Sequence, residues 1–132
     1  MPRLLRVDLS SGAIQEEVIP EDLIKEYLGG KGLGAYLLWQ EVGPEVDPLS
    51  SQNKMIFVVG PCGGTTMFGT NRYAVYFVSP LTGGYGECYS GGDVAPQIAR
   101  TGYTAVILEG TSDKPVYVEV SEDGAAIKPA DD

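Results

Sequence analysis

Three groups of glycines are the first places where this chain could do chemistry: Gly29, Gly30, Gly32 and Gly34; Gly60, Gly63, Gly64 and Gly69; and Gly83, Gly84, Gly86, Gly91 and Gly92. Glycine tolerates positive φ and lets the backbone approach a ligand closely, so such loops can turn several N–H groups toward an anion. The first group, GGKGLG, and the third, which ends in SGGD, each lead into a helical pattern whose N-terminal field would add to the attraction for a phosphate. Neither is specific on its own. GGKGLG lacks the Gly-Lys-Ser/Thr of a Walker loop, and it follows a helical pattern where a Rossmann fingerprint would follow a strand. Helix termination followed by a tight turn explains it equally well.

Arg72 is more informative. It begins an apolar run directly after a glycine-rich loop, and a guanidinium at such a strand end can fork onto a phosphate or the edge of a heterocycle. A solvated arginine at the end of a strand is the plain alternative. The chain has no histidine, which removes the commonest general base and any Ser-His-Asp arrangement. Glu87, Asp93 and the other acids show no metal-ligand spacing, and Cys62 and Cys88 lie far apart. Catalysis by this chain alone is not expected.

Elements must hold these groups in place. Residues 3–9 and 13–19 alternate like strands across the turn formers Ser10, Ser11 and Gly12, which predicts a hairpin. Pro20, Glu21 and Asp22 suit the first turn of a short helix over 20–28, ended by Gly29 and Gly30. A second helix follows Lys31, with Leu33, Tyr36, Leu37 and Trp39 spaced as an apolar stripe, which places Trp39 in the core. Gly43 to Asn53 reads as a surface connection. The runs 54–60 and the one from Arg72 to Pro80 read as buried strands, while LTGGYGECYSGGD is too rich in glycine for a regular element. A helix over 93–101, capped by Asp93, precedes the strand TAVILEG and a closing hairpin of PVYVEVS and AAIKPA. The expected fold class is therefore α+β, strand-rich, with hairpins and three short helices in one domain, 1–132. Hairpin, helix and glycine cluster recur in both halves, the pattern an internal pseudo-twofold duplication would leave, although no string of residues repeats.

Composition sets the outer limits. A length of 132 residues with 43% hydrophobic and 20% charged residues suits one globular domain with its own core. A net charge of -9 argues against a phosphate-backbone partner, so no nucleic acid is expected. No run approaches the roughly 18 apolar residues of a membrane span, and MPRLLRVDLSSG lacks a secretory core, so no membrane partner and a cytoplasmic location are expected. Both cysteines should then be reduced thiols.

The string NRYAVYFVSPLTGGYGECYSGGDVAPQIARTGYTAVILEG resembles a segment of the tungsten-containing aldehyde ferredoxin oxidoreductase family. There an arginine and an aromatic residue lead a strand, followed by Ser-Pro-Leu-Thr-Gly-Gly, Ser-Gly-Gly, a helix and a further strand. LLRVDLSSG, YLGGKGLGAYLLW, DPLSSQNKMIFVVGP and KPVYVEV also stand where the N-terminal domain of that family has counterparts, so the resemblance covers nearly the whole chain. It implies a tungsten (or molybdenum) ion held by two pterin cofactors beside a 4Fe-4S cluster, aldehydes oxidised to carboxylates, and electrons passed to ferredoxin. It also implies that Arg72, Tyr89, Ser90 and Gly91 contact the pterin, with Tyr89 standing where asparagine is usual. Thr104 likewise replaces the aspartate of a usual Tyr-Asp pair. The enzymes of the family are several times longer and keep their cluster cysteines in later domains, so the chain would need remaining enzyme domains or a complementary subunit. Alternatively it is a small interaction or scaffold protein that keeps the fold without the cofactor. Its uncovered surface then predicts a homo-oligomer. A third reading, some other phosphate-bearing ligand on the same glycine loops, has no second motif behind it.

Overall fold

The computed structural model describes residues 1–130. Eight strands and three helices follow one another as β1 (Arg3–Asp8), β2 (Ile14–Val18), α1 (Glu21–Tyr27), α2 (Gly30–Glu41), β3 (Lys54–Val59), β4 (Tyr73–Val78), β5 (Tyr85–Ser90), α3 (Val94–Arg100), β6 (Tyr103–Glu109), β7 (Val116–Ser121) and β8 (Gly124–Pro129). The first six strands in the order β2-β1-β6-β3-β4-β5 make one mixed sheet, and β7 and β8 make a separate hairpin. The fold is α+β, as the alternating runs and turn residues predict. The two sheet-edge hairpins are not related by a twofold within this sheet, because β1 runs parallel to its inner neighbour β6 whereas β4 runs antiparallel to β3.

The period of two along each strand divides the core between the two faces. On one face Leu4, Ile56, Val58, Ala74, Tyr76, Ala105 and Ile107 lie under Leu33, Leu37 and Leu38 of α2. On the other, Leu5, Val7 and Val106 are covered by Val118, Val120, Ala125 and Ile127 of the closing hairpin. Tyr103 belongs to this second layer although Ala105, two residues on, belongs to the first. The register between β1 and β6 shifts between Arg3 and Leu4, and an irregularity of this kind re-aims a side chain across a sheet.

Two expectations need correction. Tyr85–Ser90 is a strand, paired with β4 from Val78↔Tyr85 to Tyr73↔Ser90. Its glycine does not break the pairing, because Gly86 gives room to the ring of Phe77, whose Cε2 would lie 2.8 Å from an added β-carbon. Trp39 is not in the core but 83% exposed. At about 100° per residue, Leu33, Gly34, Leu37 and Leu38 define the buried face of α2, and position 39 projects from the opposite side. Smaller differences lie at helix starts: Pro20 stands at the N-cap of α1, and Asp93 occupies the N-cap of α3 without a side-chain capping bond. No helix among the described residues is long and apolar enough to cross a membrane.

Candidate functional site

At one end of the six-stranded sheet lie the C-termini of β3 and β5 and the N-termini of β4, β6 and α2. Two of the glycine groups meet there. A β-carbon added to Gly30 would lie 3.7 Å from Cα of Gly60, and one on Gly29 would lie 3.4 Å from Cδ of Pro61. Leu28, Gly29 and Gly30 have successive φ values of 63°, 138° and 49°, so α1 turns into α2 through a stretch that only glycine adopts at ease. The loop after β3 then packs on α3, where a β-carbon on Gly64 would lie 2.6 Å from Cβ of Ala99.

The third glycine group does not stay together. Gly83 and Gly84 sit in the β4–β5 turn, closed by hydrogen bonds between Ser79 and both glycines, at the far end of the sheet. Gly91 and Gly92 follow the other end of β5, six strand residues away, or about 20 Å. Only the SGGD half joins the other two groups.

Arg72, Tyr89, Ser90 and Gly91 are brought together at that same end. Tyr73 pairs with Ser90 and Ala74 with Tyr89, which puts Arg72 opposite Gly91. A β-carbon on Gly91 would lie 3.8 Å from the carbonyl oxygen of Asn71. All four residues are exposed. Among the described residues Arg72 makes no ion pair, so its guanidinium is uncommitted. Alternation along β5 turns Tyr89 toward the helix-covered face and Ser90 toward the other.

Sequence reasoning missed the polar cluster around Tyr89. Glu87 accepts hydrogen bonds from Lys31 Nζ at 2.8 Å on Oε1 and, on Oε2, from the hydroxyls of Tyr85 at 2.6 Å and Tyr89 at 3.3 Å. Lys31 first and Tyr85 next hold the Glu87 carboxyl below the usual range, and Glu87 in turn raises Lys31. Beneath this row Tyr76 is fully buried, and its hydroxyl has no hydrogen-bond partner. Burial, and then the neighbouring Tyr89 hydroxyl, push the Tyr76 phenol far above its usual range. The alternation Tyr85-x-Glu87-x-Tyr89 was the available signal, a period of two masked by the glycines around it.

The exposed, uncommitted Arg72 beside Gly91, at the end of the sheet that also carries Gly29, Gly30 and Gly60, fits an anionic, flat cofactor. The chain's two cysteines are free and cannot supply the four thiolates of a 4Fe-4S cluster. Among the described residues no group of three or more His, Cys, Asp or Glu could hold a metal ion.

Comparison with known proteins gives one answer throughout. The family model described as aldehyde ferredoxin oxidoreductase, N-terminal domain, matches residues 4–132. The tungsten-containing aldehyde ferredoxin oxidoreductase of Pyrococcus horikoshii is 41% identical over 128 residues, covering 97% of this chain and 21% of the relative. That of Pyrococcus furiosus is 42% identical over the same length and coverage. Among solved structures, the active-site complex BamBC of benzoyl coenzyme A reductase with 1,5-dienoyl-CoA contains a chain that superposes with a TM-score of 0.94 at 38% identity, over 97% of this chain and 20% of that one. The chain thus spans about a fifth of the length of these relatives. With an ordered match over nearly every residue and a shared fold, it belongs to the aldehyde ferredoxin oxidoreductase family, to which it corresponds as the N-terminal domain.

Proposed function

We propose that this chain is the base on which the tungsten (or molybdenum) bis-pterin cofactor of an oxidoreductase lies. The observation that carries this reading is that Gly29–Gly30, Gly60–Gly64 and Gly91–Gly92 lie at the same end of the sheet as the uncommitted Arg72. When bound, the group supplies redox chemistry at its metal. The chain's own part is to bind and orient. Arg72 forks onto an anionic or polar edge of the pterin, Ser90 and Gly91 offer a hydroxyl and backbone N–H groups beside it, and Tyr89 closes the helix-covered side. This local set of donors offsets the net charge of -9, which would otherwise repel an anion.

Substrate choice is assigned to the rest of the enzyme. A relative named for aldehydes and a complex named for benzoyl coenzyme A share this domain at similar identity, which supports a task common to both. Oxidation of aldehydes to carboxylates with electrons passed through a 4Fe-4S cluster to ferredoxin, in the cytoplasm, is the reading proposed for the whole. The cluster ligands, remaining domains or complementary subunit come from polypeptide other than these 132 residues. Arg72→Ala in the complete enzyme should lower its tungsten and pterin content while the polypeptide stays folded. Full tungsten content in that variant would overturn the role given to Arg72.

One observation favours the second reading, a scaffold that self-associates without cofactor. Trp39, Leu49, Phe68 and Leu81 are each at least 80% exposed, and such apolar surface normally meets another protein. The same surface also suits the remaining domains of the enzyme, so the two readings separate on whether this chain carries pterin in its native host.

A further inference from the structure

We infer that β3, β4 and β5, on the face of the sheet that also carries the closing hairpin, form a docking surface for the polypeptide that follows this domain in the complete enzyme. Nothing in it depends on the cofactor reading. Strands with one solvated face alternate apolar and polar residues, whereas strands covered on both faces are apolar throughout. β3 (KMIFVV) has no polar residue after Lys54, and β4 (YAVYFV) is aromatic or aliphatic at every position. Their helix-side residues Ile56, Val58, Ala74 and Tyr76 are buried, but cover on the opposite side fades from β6 outward. One row of side chains crosses that side, with Val106 opposite Phe57, Phe57 opposite Val75 and Val75 opposite Cys88. Val106, beneath the hairpin, is 5% exposed, Phe57 and Val75 are half-buried, and Cys88 is exposed. Met55, opposite Leu108 in the next row, is 45% exposed. Met55, Phe57, Tyr73, Val75, Phe77 and Cys88 thus make a surface without an acid or a base on a chain of net charge -9. A surface of that kind is built to be covered.

The course of the chain identifies the occupant. After β8, Ala130 N–H donates to the Pro115 carbonyl at 3.0 Å, which holds the end of the described chain at the β6 C-terminal end of the sheet. Pro129 there lines a hollow shared with Leu9, and Leu9 also lines a groove of about 360 Å³ whose floor includes Met55, Phe77 and Leu108. Pro48 and Pro80 wall that groove, and their neighbours Leu49 and Leu81 are 80% and 93% exposed at its rim. The matched family model is that of an N-terminal domain, and most of the length of the relatives lies outside the matched part. Polypeptide continuing from Ala130 therefore starts beside the uncovered face. It should bring an apolar, uncharged surface, because any charge set against Phe57, Val75 and Phe77 would be buried without a partner.

Cys88 is a native reporter of that cover. In the complete, folded enzyme, alkylation by a maleimide followed by peptide mass spectrometry should show Cys88 reacting roughly ten-fold more slowly, or slower still, than in the denatured enzyme. A rate equal to that of the denatured enzyme would overturn the docking surface. The occupant is read from a photo-crosslinking side chain, p-benzoylphenylalanine, in place of Met55, a half-exposed position where substitution leaves the core intact. Crosslinks to residues beyond position 132 of the same polypeptide are expected. Crosslinks only within residues 1–132 of a second copy would overturn the assignment, as would a slow Cys88 with no crosslinked peptide, which points to a bound small molecule as the cover. An Arg72→Ala enzyme that has lost its pterin should protect Cys88 as the parent does, so the cofactor reading and the docking surface stand or fall separately.

Discussion

Gly34 and Tyr76 show how closely single residues are fitted here. A β-carbon on Gly34 would lie 2.1 Å from Cε2 of Tyr76, far inside contact distance, and Tyr76 has no free space because it is fully buried. Gly34→Ala gains roughly 1 kcal/mol of helix propensity, but the overlap lifts α2 from the sheet at a cost of about 2 to 3 kcal/mol. A net lowering of the melting temperature by several degrees in thermal unfolding is expected; an unchanged or raised value would show that α2 can shift freely. The residues of the site were unequally legible. Arg72 stood out from its place between a glycine-rich loop and an apolar run, whereas Tyr89, Ser90 and Gly91 came as site residues only with the resemblance to the family. Lys31, Glu87 and Tyr85 did not stand out, because their meeting depends on β5 being a strand beside α2, and the partnerless Tyr76 hydroxyl could not be foreseen from residue types.

Strand β5 is the element that sequence reasoning lost. Glycine lowers strand propensity, but Gly86 and the pairing of all six residues with β4 show packing against Phe77 overriding it. Its recovery splits one apparent glycine cluster into the β4–β5 turn and the end beside Arg72. The remaining elements follow from alternation and turn chemistry within a residue or two, and Trp39 departs because Leu33, Gly34, Leu37 and Leu38 set the buried face of α2 on the side opposite to it. Charges tie the elements at the opposite end of the sheet. Arg6 of β1 donates to both oxygens of Glu41 on α2, at 2.7 and 2.9 Å, and to Glu17 on β2 at 2.7 Å; Lys54 of β3 reaches Glu41 at 2.7 Å and Glu109 of β6 at 2.6 Å.

Within that network burial pushes the Glu41 carboxyl up, while hydrogen bonds from Arg6 and Lys54 together outweigh it and leave it below its ordinary value. A depressed carboxylate stabilises the fold above its unfolded pKa, and that contribution is lost as pH falls through the lower folded value. Stability should thus decline with pH below the ordinary glutamate value of 4.5. Glu41→Gln should cost about 2 kcal/mol near neutral pH, less than a fully buried pair because the side chains are 16% to 18% exposed. Denaturant titrations of parent and variant should converge as pH drops below that value; a gap that stays constant would remove Glu41 from the account.

At the scale of the molecule, segments far apart in sequence deliver their glycines to one end of a single sheet, and ion pairs close the other. Nothing in the sequence alone states which ends coincide, because that depends on strand directions, β1 with β6 parallel and β3 against them. We propose that the exposed Trp39, Leu49, Phe68 and Leu81 contact another polypeptide. The isolated chain should therefore sediment above the 14.0 kDa of one copy, and a strictly monomeric boundary at high concentration would argue against that interface. The central claim is tested most directly by metal and pterin analysis of whatever species carries this chain in its native host, with its mass measured on a denaturing gel. Tungsten or molybdenum together with pterin, in a species near the length of the relatives, is the result expected; a metal-free and pterin-free 14 kDa protein would contradict it.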